Sequence, residues 1–195
     1  MNLVETAPTD LPHPAHADHS AVRPLPLGMV VYDDSLEADN LLAQCASDLA
    51  AFGYRLGGVV QSNVPRHGRR KCDMYLKDLM SGEEIKISFD RGNESRGCRL
   101  DPAAFAQVGI WCASALAEGA DLLIINKFGK AEAKGRGLRP FIAEALIAGI
   151  PVVIGVSRLN LNDFVAFAGD SATCLAPERD VILVWCRNAL TRRAT

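Results

Sequence analysis

Asp121-Leu122-Leu123-Ile124-Ile125-Asn126-Lys127-Phe128-Gly129-Lys130 is a short apolar run closed by an amide, two lysines and a glycine. Apolar at every position from 122 to 125, it reads as a strand covered on both faces, as strands of parallel sheets are. Just upstream, Asp101 caps a helix through Ala117 with Phe105, Val108, Trp111, Cys112 and Leu116 on one face. Downstream, residues 138–148 read as a helix, 150–156 as a strand, 161–168 as a short helix, and 180–190 as either a strand or a terminal helix. Toward the N-terminus, Gly28 and Met29-Val30-Val31-Tyr32 form a short buried strand. Ser35 is placed to cap the helix that follows over 36–52, where Leu41, Leu42, Cys45, Leu49 and Phe52 recur at helical spacing before Gly53. Residues 56–60 (LGGVV) give another strand, and 72–79 with 84–89 form a hairpin turning at Met80-Ser81-Gly82-Glu83. Strands alternating with helices, with one inserted hairpin, predict an α/β fold around a mainly parallel sheet.

A chain of 195 residues has the length of one domain, here preceded by a tail. Hydrophobic residues make up 49% and charged residues 23%, which excludes collagen, bulk disorder and coiled coil. With 21 basic and 23 acidic residues the net charge is -2, so no global basic field collects nucleic acid or acidic membranes. Any anion site must be a local cluster. Residues 1–27 contain Pro8, Pro12, Pro14, Pro24 and Pro26 and read as a disordered tail. Their acids Glu5, Asp10 and Asp18 against Arg23 carry the whole net charge, leaving residues 28–195 neutral. His13, His16 and His19 would suit a metal only on a helix, which Pro12 and Pro14 oppose, so no metal ligand is assigned.

The cysteines Cys45, Cys72, Cys98, Cys112, Cys174 and Cys186 include no CxxC pair and read as reduced thiols. The longest apolar run, 143–156, is broken by Glu144, Gly149, Pro151 and Gly155, so no membrane span is expected. The first residues lack both the lysines and the apolar core of a signal peptide, and the expected location is the cytoplasm.

Ligands of open α/β sheets sit at the carboxyl ends of the strands. Four segments fall there: 33–39, 61–71, 126–139 and 156–160. The first reads Asp33-Asp34-Ser35-Leu36-Glu37-Ala38-Asp39, with no glycine, no lysine and four carboxylates. It suits helix capping, or a carboxylate-lined magnesium site, better than a bare phosphate. The third carries Lys127, Lys130, Lys134, Arg136 and Arg139, interrupted by Gly129, Gly135 and Gly137. Such a stretch either presents donors to an oxyanion or is a mobile, solvated basic loop. Arg91, Arg96 and Arg99 surround Cys98, a setting that lowers a thiol pKa, although a structural thiol is the simpler reading. His67, the one histidine beyond the tail, lies in an RHGRR turn poorly suited to fixing a catalytic base.

From Leu56 onward, GGVVQSNV, RHGRRKCDMYLKDLMSGEEIKI and DLLIINKFGKAEAKGRGL follow the order of motifs of the small bacterial and archaeal P-loop nucleoside-triphosphatases. The chain resembles, more closely, an uncharacterised bacterial domain family related to them, through RGCRLD and INKFGKAEAKGRGLR over roughly residues 28–190. The resemblance implies a three-layer P-loop-NTPase-like fold and, through the association of that family with molybdate-transport genes, oxyanion or metal-cofactor metabolism. Against the pattern of those enzymes, the chain has DDSLEAD where a glycine-rich loop ending in Lys-Ser/Thr belongs, and Asn126-Lys127 where the second strand motif ends in acids.

The expectation is therefore a protein that has lost hydrolysis and binds a small oxyanion, such as molybdate, or a nucleotide. Lys127, Lys130, Arg136 and Arg139 would be the binding groups, helped by Arg96 and Arg99. No cofactor is assigned. The alternatives are a nucleoside-triphosphatase with an unconventional site, and an oligomeric interaction protein assembled through the apolar run that contains Trp185.

Overall fold

The run that begins at Leu122 is the middle of the sheet. The computed structural model describes residues 26–65, 67, 72–89 and 100–193. Its elements are β1 (Leu27–Tyr32), α1 (Ser35–Ala51), β2 (Leu56–Val64), β3 (Asp73–Asp78), β4 (Glu84–Lys86), α2 (Pro102–Ala117), β5 (Leu122–Phe128), α3 (Lys130–Ala133), α4 (Arg139–Ile147), β6 (Val152–Ser157), α5 (Leu161–Ala168), β7 (Ala172–Leu175) and α6 (Arg179–Arg193). The seven strands run in the order β4-β3-β2-β5-β6-β1-β7. From β2 to β7 every pairing is parallel, while β3 and β4 continue antiparallel at one edge. The inserted hairpin is thus an extension of the sheet itself.

Alternation along β5 explains why the run has no polar position. Leu123 and Ile125 join a core with Val108 and Cys112 of α2, Ile142 and Ala145 of α4 and Phe164 of α5. Leu122 and Ile124 join the opposite core with Leu42, Cys45 and Leu49 of α1 and Ile182, Cys186 and Leu190 of α6. The result is three layers, α2, α4 and α5 on one face and α1 and α6 on the other. Burying a side chain of this size contributes about 1.5–3 kcal/mol relative to exposure, so an apolar residue on either face is retained.

Three local expectations are revised, and the choice left open at residues 180–190 is decided. Asp34, rather than Ser35, is the N-cap of α1, because its carboxylate accepts from the Leu36 and Glu37 amides. β2 continues to Val64, past the residue-60 end read from its apolar letters, because β3 pairs with Val59–Val64 and satisfies that polar backbone. β7 is an added edge strand, too short and too exposed for alternation to reveal it. Residues 180–190 are helical, within α6. Trp185 of α6 packs half-buried against the second core, over Gly28 and Leu175. No described helix is long and apolar enough to cross a membrane.

Near its end β5 loses register with β6 between Ile125 and Phe128. Gly155 of β6 permits this, since a Cβ there would lie 2.3 Å from the Asn126 carbonyl oxygen. Asn126 and Lys127 occupy that irregularity, within β5 and short of its last pairing at Phe128.

Candidate functional site

At the carboxyl edge of the sheet, the ends of β1, β2 and β5 meet the first turns of α1 around one carboxylate. Asp39 lies on the apolar stripe of α1 beside Leu42, Ala46 and Leu49, and is 2% exposed. Its Oδ1 accepts from Asn126 Nδ2 at 2.7 Å and lies 3.4 Å from Lys127 Nζ. Its Oδ2 accepts from Asn63 Nδ2 at 2.7 Å and from Gln61 Nε2 at 3.2 Å. A buried charge is tolerable only when paired and hydrogen-bonded, and here three amides and an ammonium meet both needs. Lys127 Nζ also donates to Ser35 Oγ at 2.9 Å. Burial, then the nearby Asp39 charge, pushes the Tyr32 hydroxyl up to about 12 against the smaller opposing effect of its hydrogen bond with Ser35. At neutral pH it is a protonated phenol.

The other three carboxylates of the β1–α1 connection go separate ways. Asp34 Oδ1 accepts from the amides of Leu36 at 2.7 Å and Glu37 at 3.1 Å, occupying donors that a helix N-terminus offers to anions. Asp33 is held by Arg158 through Nε at 2.8 Å and Nη2 at 3.1 Å, and those hydrogen bonds draw its pKa below the usual carboxylate value. Glu37 lies in the first turn of α1. The carboxylates therefore do not converge, and among the described residues no group of three or more His, Cys, Asp and Glu side chains could hold a metal ion.

The basic stretch after β5 is ordered by one acid. Glu132 of α3, 3% exposed, accepts from the Gly129 amide through Oε2 and from the Leu138 amide through Oε1, both at 2.9 Å. It closes residues 129–138 into a latch. Gly137 makes this closure fit, with φ of +64° and room for no Cβ, which would lie 2.1 Å from Glu132 Oε1. Asn160, the last residue of the 3-10 turn Arg158–Asn160, donates through Nδ2 to the Phe128 carbonyl at 3.1 Å and ties the latch to the neighbouring loop.

The residues singled out from sequence divide accordingly. Lys127 is at the site and bound to Asp39 and Ser35. Lys130, Lys134 and Arg136 line a cavity next to the latch, together with Gln61, Asn126 and Lys127. Arg139 faces elsewhere, its guanidinium 4.5 Å from the centroid of Phe167. Arg91, Arg96, Arg99, Cys98 and the three tail histidines lie outside the described residues. Sequence reading did not single out Gln61, Asn63, Glu132 or Tyr32, and counted Asp39 merely as one loop acid. The signal for Asp39 was present: an acid in register with Leu42, Ala46 and Leu49 on a buried helix face must find partners.

Residues 27–185 match the family described as "Protein of unknown function (DUF2478)". Over 175 residues, 90% of this chain, the sequence is 39% identical to the molybdenum import ATP-binding protein ModC 2 of Bradyrhizobium diazoefficiens. The chain spans 20% of that relative's length. Among solved structures, THEP1 from the hyperthermophile Aquifex aeolicus superposes with a TM-score of 0.59 at 16% identity, covering 80% of this chain and 94% of that one. A human cancer-related nucleoside triphosphatase superposes with a TM-score of 0.56 at 15% identity, covering 86% and 96%. Such identities carry the fold alone: the architecture is the three-layer α/β arrangement of the small P-loop nucleoside-triphosphatases.

Proposed function

The chain belongs to the DUF2478 family, and from the geometry at its sheet edge we propose that it is a non-hydrolysing anion-binding domain on the fold of the small P-loop nucleoside-triphosphatases. The observation that carries this reading is Asp34 seated on the Leu36 and Glu37 amides. In a phosphate-binding loop those donors and a lysine hold the phosphates. Here a phosphate would have to displace one carboxylate and remain beside Asp33 and Glu37. Each like-charge contact at ~4 Å costs roughly 1 kcal/mol in water and about 4 kcal/mol at an effective dielectric of 20. The amide and ammonium at the end of β5 add no carboxylate that could direct magnesium, and Lys127 is committed to Asp39.

The cations available to a ligand are on the other side of β5. Lys130, Lys134 and Arg136 are exposed and border one cavity. An anion bound there gains charge-assisted hydrogen bonds without displacing an internal carboxylate. The 39% identity to a stretch of a molybdenum import ATP-binding protein supports a role in molybdenum handling, with molybdate or a nucleotide as the anion.

Isothermal titration of the full chain with molybdate, phosphate and ATP tests the reading. Heat is expected with at least one of them, and the affinity falls by about tenfold or more in Lys130→Ala/Arg136→Ala. No heat with any of the three, or binding unchanged in that variant, contradicts it.

A further inference from the structure

The cavity beside the latch has a volume of about 490 Å³, inside the ~300–1,000 Å³ range of sites for small organic ligands. Its walls are mainly apolar: Val59 of β2, Leu76 of β3, Ile125 of β5 and Phe105 of α2, with Ile87 and Leu138. Lys130, Lys134 and Arg136 supply positive charge at one side, and all three are exposed. The carboxylate among its described lining residues is Glu132, whose two oxygens are already taken by the Gly129 and Leu138 amides. Among the described lining residues no acid is therefore left to receive the cations. Gln61 and Asn126 also line the cavity, and Asn126 Oδ1 is a buried acceptor without a hydrogen-bond partner among the described residues.

We infer that this cavity takes an amphiphilic organic anion, one acidic head group on an apolar body, in preference to a bare inorganic oxyanion. The inference rests on the anion-binding reading above and names its ligand class. A bare oxyanion satisfies the three cations but leaves the walls of Val59, Leu76, Ile87, Phe105 and Ile125 against water. An apolar body attached to the same head group removes those walls from water, which is favourable in proportion to the area covered. The small polar contribution of Gln61 and Asn126 then orients the body, as a few polar groups do in mostly apolar sites.

The ligand class can be tested by separating head from body. Isothermal titration of the full chain with 1-naphthyl phosphate, inorganic phosphate, molybdate and 1-naphthol is expected to show the ester binding about tenfold or more tightly than any of the other three. The ester's affinity is expected to fall by about tenfold in Lys130→Ala/Arg136→Ala, which alters exposed side chains, and again in Phe105→Ala, which shortens a half-buried wall. If phosphate or molybdate binds as tightly as the ester and Phe105→Ala changes nothing, the organic-anion inference is overturned while anion binding stands. Equal binding of 1-naphthol and the ester overturns it as well, because the head group then contributes nothing. Absence of binding by all four overturns it too, and ATP added to the same titration separates the readings: heat with ATP alone leaves anion binding standing, and no heat with any of the five removes both.

Discussion

Asp39 holds the carboxyl edge together because four donors from β2 and β5 converge on its two oxygens. Asp39→Ala strands the Asn63 and Asn126 amides and removes the counter-charge of Lys127, so a loss of about 3 kcal/mol is expected in a urea titration. Tyr32 gives a pH signature. The folded chain keeps its phenol protonated to about 12, whereas the unfolded value is 10.0. The folded state therefore binds the extra proton between these values, and its contribution to stability is complete below pH 10 and is lost as the pH rises toward 12. Tyr32→Phe should unfold with a shallower alkaline loss over that window in denaturant titrations. The thiols separate in the same way. Burial raises Cys45 to about 11 and Cys112 and Cys186 to about 12, while Cys174 is exposed. Iodoacetamide at pH 8 should modify Cys174 in the native protein, and Cys45, Cys112 and Cys186 only after denaturation, as read by peptide mass mapping.

At the scale of elements, the latch 129–138 separates what letters reveal from what contacts decide. The basic, glycine-rich composition of that stretch fits either an ordered anion cradle or a solvated loop, and the choice is made by Glu132, whose partners are the amides of Gly129 and Leu138. Gly137→Ala would force a side chain into a left-handed conformation and against Glu132 Oε1. A loss of about 2 kcal/mol is expected, with faster tryptic cleavage after Lys130, Lys134 and Arg136 than in the parent. Elements with strong periodicity or unbroken apolar runs, α2 and β5 above all, were legible because burial alone defines them. The extension of β2 to Val64 was not, because its backbone is satisfied by β3, a partner outside the segment. β7 was not either, since its four residues carry one buried side chain. The candidate site was half legible. Its cations stand out in the sequence, whereas Asp39, Gln61 and Asn63 converge only once α1 lies against β2.

For the whole molecule, the near-neutral composition conceals a division of charge along one sheet edge. The β1–α1 connection is acidic and engaged with its own helix or with Arg158, and the far side of β5 is basic and open to a cavity. The family's fold is that of nucleoside-triphosphatase neighbours, but a shared fold leaves the chemistry to the side chains at its edge. Binding without turnover is the function proposed for those side chains. The decisive measurement is phosphate release from magnesium-ATP and magnesium-GTP by the full chain. Release no greater than from buffer is expected; sustained release that disappears in Lys127→Ala or Asp34→Ala would contradict a non-hydrolysing binding domain.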